Sequence, residues 1–396
     1  MKLVFLAPEA VFPANTGGRI VVYNKIKNLS KLGYEIFLFC VVDSDDEKQQ
    51  VSDEMGKYCC FCGLYNRGSQ RVRRFANSIL RPYAVGSRTI KKLKDDLNRI
   101  LSNEEIDFIW CEMPQMAMNL KGIHIKKHTR CVLSQQNIEF KTMRSLALTF
   151  KNPIKKLVYL FDSKRFHLYE KKLYSSGLFD AFVFVSDDDK AFFARHFSFS
   201  DKPLITVPIG AEKHTVIPKE KTHNCLIVGK MSYPPNIEGV SWFVNRVWQE
   251  VKERIPDAHL YIVGKDPDSS IRSIQDDSIT VTGTVDSVED YYLNAAVAIV
   301  PLFSGGGVKT KLIEAVSYNI PVVCTSFGAI GTMFRNQEHI FISDEPDSFA
   351  QGICECLSDN DTVRNRAKRA FAVFEKHYSW EGIVEGLNTF LCGLVQ

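Results

Sequence analysis

Short apolar runs alternate with longer amphipathic stretches along the whole chain. In the first half, β-branched and aromatic runs predict strands near Leu3–Ala7, Glu35–Val42, Tyr58–Gly63, Asp107–Glu112, Cys131–Gln135, Ala181–Ser186 and Leu204–Pro208. Apolar residues three and four apart predict helices between them, as at Arg19–Leu32 and Ile154–Tyr174. The second half repeats the scheme, with strands near Asn224–Gly229, His259–Val263, Ile279–Gly283, Val297–Leu302, Pro321–Thr325 and Ile340–Ser343. Strands this short and apolar, separated by helices, belong to parallel sheets covered on both faces. About twelve of them fit two doubly wound sheets better than one. No internal sequence repeat is evident.

Length agrees with two domains, since 396 residues exceed one ordinary core. The expected division is 1–210, a linker at 211–223 that carries Pro218 and several lysines, and 224–379. A last helix over 380–392 either stays on the second domain or packs back on the first. Hydrophobic content of 45% and charged content of 24% are those of a soluble globular chain. The opening Met1–Pro8 resembles a short signal sequence, but Glu9 interrupts it and no small-residue cleavage site follows. It reads as a first strand. Among eleven cysteines, Cys40, Cys111, Cys131, Cys225 and Cys324 sit inside apolar runs. That suits buried thiols in a reducing compartment, so a cytoplasmic location is expected. The cluster Cys59-Cys60-x-Cys62 lacks a Cys/His pair at zinc spacing and reads as a buried strand.

Net charge is +4 and unevenly spread. Basic residues concentrate between Arg67 and Arg99 and again between Lys151 and Lys172. These are solvated helix faces, or they attract anionic lipid headgroups or a phosphorylated acceptor at the inner face of a membrane. No nucleic-acid-binding motif accompanies them, so nucleic acid is not expected as a partner.

Two strand ends are marked by glycine. Pro13-Ala14-Asn15-Thr16-Gly17-Gly18 joins the first strand to its helix, where paired glycines let backbone approach a ligand. It is not a G-x-G-x-x-G pattern, which disfavours a classical dinucleotide site. The richer segment is Ser304-Gly305-Gly306-Gly307-Val308-Lys309-Thr310-Lys311-Leu312-Ile313-Glu314. A buried strand ends, three glycines turn the chain, and a helix begins near Val308. Successive N–H groups can then curve around an anion, with Lys309 and Lys311 adding positive charge. Lys311 and Glu314 share a helical face, so one alternative is a plain surface ion pair. The other places lysine on phosphate and Glu314 on sugar hydroxyls. Three D-x-D patterns, at Asp43, Asp187 and Asp266, are explained by helix capping or turns, and no metal site is expected.

These segments resemble the family-4 retaining glycosyltransferases. Cys225–Met231 with Pro235-Asn236 is similar to the family's opening strand and basic loop. Pro256–Gly264 is similar to its second strand, and Val281–Val285 to the loop near the nucleotide base. Gly306–Glu314 resembles the E-x7-E segment, Gln135–Glu139 the H-N-x-E motif, and Val207–Ala211 the P-N-G-V element. Three positions depart from the pattern. Gly306 replaces the first Glu, Gln136 replaces the His, and a second cation after Lys230 is missing where Pro235 and Asn236 stand. Lys309 or Lys311 could substitute for that cation.

The resemblance implies a GT-B fold, in which two Rossmann-like domains face a cleft. It implies transfer of a sugar from a UDP-, GDP- or similar nucleotide-sugar donor to a saccharide or lipid-linked acceptor, as in surface polysaccharide or glycoconjugate synthesis. No cofactor is implied. The donor would be held by Gly17, Gly18, Lys230, Thr284, Val285, Gly305, Gly306, Gly307, Val308, Lys309, Lys311 and Glu314. Gln136, Asn137, Glu139 and Lys311 would serve the reacting centre, with Glu112 a further candidate base. The alternatives are a non-catalytic subunit that binds a sugar nucleotide for a partner transferase, and a sugar-nucleotide epimerase.

Overall fold

A computed structural model describes all residues except 15, 68–80, 150–151, 198–200, 215–221, 305–309, 359 and 396. The described residues form two compact units, Met1–Pro208 with Val384–Gln396, and Ile209–Ile383.

The first unit is built on a seven-stranded sheet of order β3-β2-β1-β4-β5-β6-β7, every neighbouring pair parallel. Its strands are β1 (Lys2–Ala7), β2 (Glu35–Val42), β3 (Phe61–Asn66), β4 (Phe108–Glu112), β5 (Arg130–Gln135), β6 (Ala181–Phe184) and β7 (Leu204–Thr206). The central strands are buried on both faces, which is why β1 and β4 read as unbroken apolar runs. The second unit has a six-stranded parallel sheet of order β10-β9-β8-β11-β12-β13. These strands are β8 (Asn224–Val228), β9 (His259–Val263), β10 (Ile279–Gly283), β11 (Val297–Val300), β12 (Val322–Cys324) and β13 (Phe341–Ile342).

In both sheets the chain winds outward one way and then jumps back across its first strand. The jump falls between β1 and β4 in one unit and between β8 and β11 in the other. Ligands of open α/β sheets bind beyond the carboxyl ends of the strands at this reversal.

Several boundaries differ from the sequence reading. The third strand starts at Phe61, because the helix Asp45–Met55 runs on into a turn in which Cys59 N–H donates to Met55 O. Cys59 and Cys60 therefore precede the strand, and Cys60 is exposed rather than buried. Ser186, not Asp187, caps the helix Asp187–His196, its hydroxyl accepting from Asp189 N–H at 3.1 Å. The proposed helix start at Val308 lies outside the described residues, and the described helix runs Thr310–Ser317. The last helix, Trp380–Val395, begins in the second unit and ends in the first. In the first unit Tyr34 donates its hydroxyl to Asn388 Oδ1 at 2.7 Å, and Arg130 donates to Leu394 O at 2.9 Å.

Candidate functional site

In the second unit, three glycines bring backbone together at the reversal point. Gly229 follows β8 and Gly264 follows β9, and a Cβ on Gly264 would stand 1.6 Å from Gly229 O. Gly239, in the helix Pro234–Phe243, packs so closely that a Cβ there would stand 2.0 Å from Pro301 O beyond β11. The start of that helix is thereby pinned beside the ends of β8 and β11.

Onto this platform comes Lys311, from the first turn of the helix Thr310–Ser317. Its ammonium donates to Asn236 Oδ1 at 2.6 Å, and Asn236 Nδ2 donates to Lys230 O at 2.8 Å. A Cβ on Gly229 would meet both Lys311 Nζ and Asn236 Nδ2 at 2.8 Å, so glycine there leaves room for the ammonium. Asn236 thus stands where a second cation was missing from the sequence, and it holds Lys311. The anchor is a neutral amide, so it orients the charge without cancelling it.

One turn on, Glu314 is half-buried and hydrogen-bonded to Tyr292. Burial pushes its carboxyl above the ordinary range, while the Tyr292 hydroxyl and the Lys311 charge pull it back. Tyr292 is itself wedged in a stack: its ring lies 4.6 Å from Tyr318, and Tyr318 lies 3.9 Å from His214, both pairs nearly parallel. This is not a surface ion pair. Glu314 is fixed by a buried tyrosine.

The other positions named for donor binding are placed as follows. Lys230 is exposed just past β8. Gly283 turns the chain with φ +70, and Thr284 lines a cavity of about 370 Å³ with Asp266, Arg272 and Gln275. Val285 is half-buried and packs against the apolar core instead. Gly305, Gly306, Gly307, Val308 and Lys309 lie outside the described residues.

In the first unit, Gly17 and Gly18 open the helix Gly17–Lys31 at the other reversal point. Gln136 Nε2 donates to Glu112 Oε1 at 3.1 Å and to Gly18 O at 3.4 Å, and a Cβ on Gly18 would stand 2.7 Å from Gln136 Oε1. Glu112 is fully buried and also accepts from Trp110 Nε1 at 2.8 Å. Beneath it Lys25, equally buried, reaches Glu112 at 3.4 Å and Ser134 Oγ at 3.1 Å. Burial depresses the Lys25 ammonium pKa and the Glu112 carboxylate opposes that shift. Gln136 is therefore positioned by a buried ion pair, and that pair occupies Glu112, the candidate base.

Asn137 is exposed. Glu139 begins the helix Glu139–Thr149 and faces Gln115 and Arg88; burial raises its carboxyl to about 7, against the pull of both. Glu170 is raised further by burial, to about 8, with Glu139 adding to it; its carboxyl lies 2.9 Å from Tyr174 Oη. Gln136 and Glu139, neighbours in the motif, thus engage different partners. A carboxyl titrating near 7 is suited to general acid–base work. Sequence reasoning missed Lys25, Arg88, Tyr292 and Glu170. Only Lys25 left a trace, as a charge within the otherwise apolar face Val21-Val22-x-x-x-Ile26 of its helix.

Residues 222–359, most of the second unit, match the family Glycosyl transferases group 1. An uncharacterised 44.6 kDa protein in the cps region of Klebsiella pneumoniae is 24% identical over 390 residues, covering 95% of this chain and 96% of that one. TuaC of Bacillus subtilis (strain 168), provisionally named as a teichuronic acid biosynthesis glycosyltransferase, is 36% identical over 80 residues, 20% of each chain. Among solved structures, Anabaena Alr3699/HepE in complex with UDP aligns over 99% of this chain and 100% of its own, at 12% identity and TM-score 0.63. The fold is that of the GT-B glycosyltransferases, and the second unit carries a glycosyl transferases group 1 domain.

Proposed function

We propose that this chain is a retaining glycosyltransferase that takes a sugar from a nucleoside-diphosphate sugar and gives it to a saccharide or lipid-linked acceptor in surface polysaccharide synthesis. One observation carries the reading. At the reversal point of the second sheet, Gly229 leaves space for the Lys311 ammonium, and neutral Asn236 holds it there. A fixed cation at that place suits the diphosphate of a donor. The UDP complex of the structural neighbour and the group 1 match over the same unit support a donor of this class.

The reaction breaks the bond between the anomeric carbon and the diphosphate oxygen. The acceptor hydroxyl oxygen bonds to that carbon, its proton leaves, and the nucleoside diphosphate departs with the bonding pair. Positive charge builds at the sugar and negative charge on the leaving phosphate. Lys311 and Lys230 stabilise the phosphate, a preorganised electrostatic contribution of about 3–4 kcal/mol for one key donor, with no metal required. Glu314, held by Tyr292, accepts from the ribose hydroxyls. Glu139, titrating near neutrality, handles the acceptor proton, and Gln136 and Asn137 bind the transferred sugar or the acceptor.

Incubation of the purified chain with a nucleotide-sugar panel and saccharide or lipid-linked acceptors tests this. Transfer with retained anomeric configuration, lost in folded Lys311→Ala, is the expected result. Saturable nucleotide binding without transfer over the whole panel would instead identify a non-catalytic subunit. An epimer formed from donor alone would identify an epimerase.

A further inference from the structure

The helix Pro153–Tyr174 is apolar on two opposite faces. One face carries Phe166, Glu170, Leu173 and Tyr174, all buried in the first unit. The other carries Ile154, Leu157, Val158, Phe161 and Leu168, at intervals of three, four and seven residues, which is one stripe of an α-helix. These five side chains are 57% to 74% exposed. Scattered single apolar residues on a surface need no explanation, but a continuous stripe marks an interaction site.

The charge beside the stripe says what kind of surface it meets. Lys155, Lys164, Lys171 and Lys172 on this helix are exposed. Its two acids are otherwise engaged: Asp162 pairs with Arg165 at 3.2 Å and accepts from Tyr83 N–H at 3.1 Å, and Glu170 is buried. Tyr83, 58% exposed, adds an aromatic side chain at the same edge. Beyond Leu168 the apolar surface continues into a cavity of about 670 Å³ containing Met118 and Ile123, with Arg81, Lys121 and Lys172 among its lining. A stripe of Leu, Ile and Phe edged by lysines is the composition of a helix that lies in the plane of an anionic membrane surface. No described helix is long and apolar enough to cross a membrane.

We infer that the helix Pro153–Tyr174 docks the first unit on an anionic lipid bilayer, its stripe among the acyl chains and its lysines at the headgroup phosphates. The inference deepens the reading of a lipid-linked acceptor by naming the surface that meets the membrane. A second copy of the chain fits less well, because two such faces would bring like charges together.

Co-sedimentation with vesicles of phosphatidylglycerol and phosphatidylcholine, against vesicles of phosphatidylcholine alone, tests it. The whole chain is expected to bind the mixed vesicles at least tenfold more tightly and to lose that binding with rising salt. Leu157→Glu with Phe161→Glu, both at exposed positions, should cut binding at least tenfold at unchanged melting temperature. Lys164→Glu with Lys171→Glu should cut it severalfold. Equal binding to both vesicles, no binding, or binding unchanged by the stripe variants would overturn the inference. So would a dimer in size-exclusion chromatography that the stripe variants dissociate. Nucleotide binding by the same variants is read in parallel. If it persists while vesicle binding is absent, only the membrane inference fails; if nucleotides never bind, the transferase reading fails separately.

Discussion

Lys25 and Lys311 stand at equivalent reversal points of two similarly ordered sheets, yet they are held in opposite ways. Lys25 is fully buried and paired with an equally buried carboxylate, Glu112, beneath the Trp110 ring. Lys311 is half-buried and tethered by the neutral amide of Asn236. A buried pair adds little net stability but is costly to break, and its charge is spent inside the protein. The tether of Lys311 brings no buried counter-charge, although its charge also acts on Glu314. The contrast separates a charge that builds the first unit from one suited to an anionic ligand in the second.

Breaking the buried pair should have the largest effect. Lys25→Ala leaves Glu112 buried and uncompensated and should cost about 3–5 kcal/mol in a denaturant melt. Lys25→Met with Glu112→Gln, which keeps an acceptor for Trp110 Nε1, should recover most of that stability; no recovery would show that the loss does not come from the uncompensated charge. Lys311→Ala should barely move the melt but lower transfer about a hundredfold, the scale expected for one key electrostatic donor. A large stability loss with intact turnover would erase the contrast.

Gly229→Ala sharpens the point. The added methyl would stand 2.8 Å from both the Lys311 ammonium and Asn236 Nδ2, and of the two the flexible lysine is the one that yields. Transfer should fall about tenfold with little change in melting, because a displaced cation loses much of its electrostatic contribution. A last test is in pH. Burial raises the folded Glu170 carboxyl from the ordinary 4.5 to about 8, so the folded state binds its proton more tightly than the unfolded chain. Its contribution to stability is full below 4.5 and is lost as pH rises to about 8. The slope approaches about 1.4 kcal/mol per pH unit in the middle of that window. Glu170→Gln should reduce it to the part that Glu139 contributes between 4.5 and about 7, and an unchanged slope would assign the titration elsewhere.

Much of the architecture was legible because parallel strands buried on both faces must read as apolar runs, as β1, β4 and β9 do. The third strand was misplaced because Tyr58, Cys59 and Cys60 look apolar in sequence, whereas Tyr58 and Cys59 close a helical turn onto Met55 O. Lys311 and Glu314 could be named from spacing and resemblance. The contact that holds Lys311 could not, since Asn236 is 75 residues away, and neither could that of Lys25, 87 residues from Glu112. Nothing local encodes a contact at that separation. The exposed stripe was hidden for another reason. A helix apolar on two sides has the pattern of a wholly buried one, and only packing tells which side is left open.

The last helix carries a consequence for biosynthesis. Residues 384–395 complete the unit that begins at Met1, through Asn388 against Tyr34 and Leu394 against Arg130. Until they are made, the first unit lacks the helix that meets Tyr34 and Arg130. The second unit can close before the first has received its final piece, inverting the usual order in which the amino-terminal part matures first.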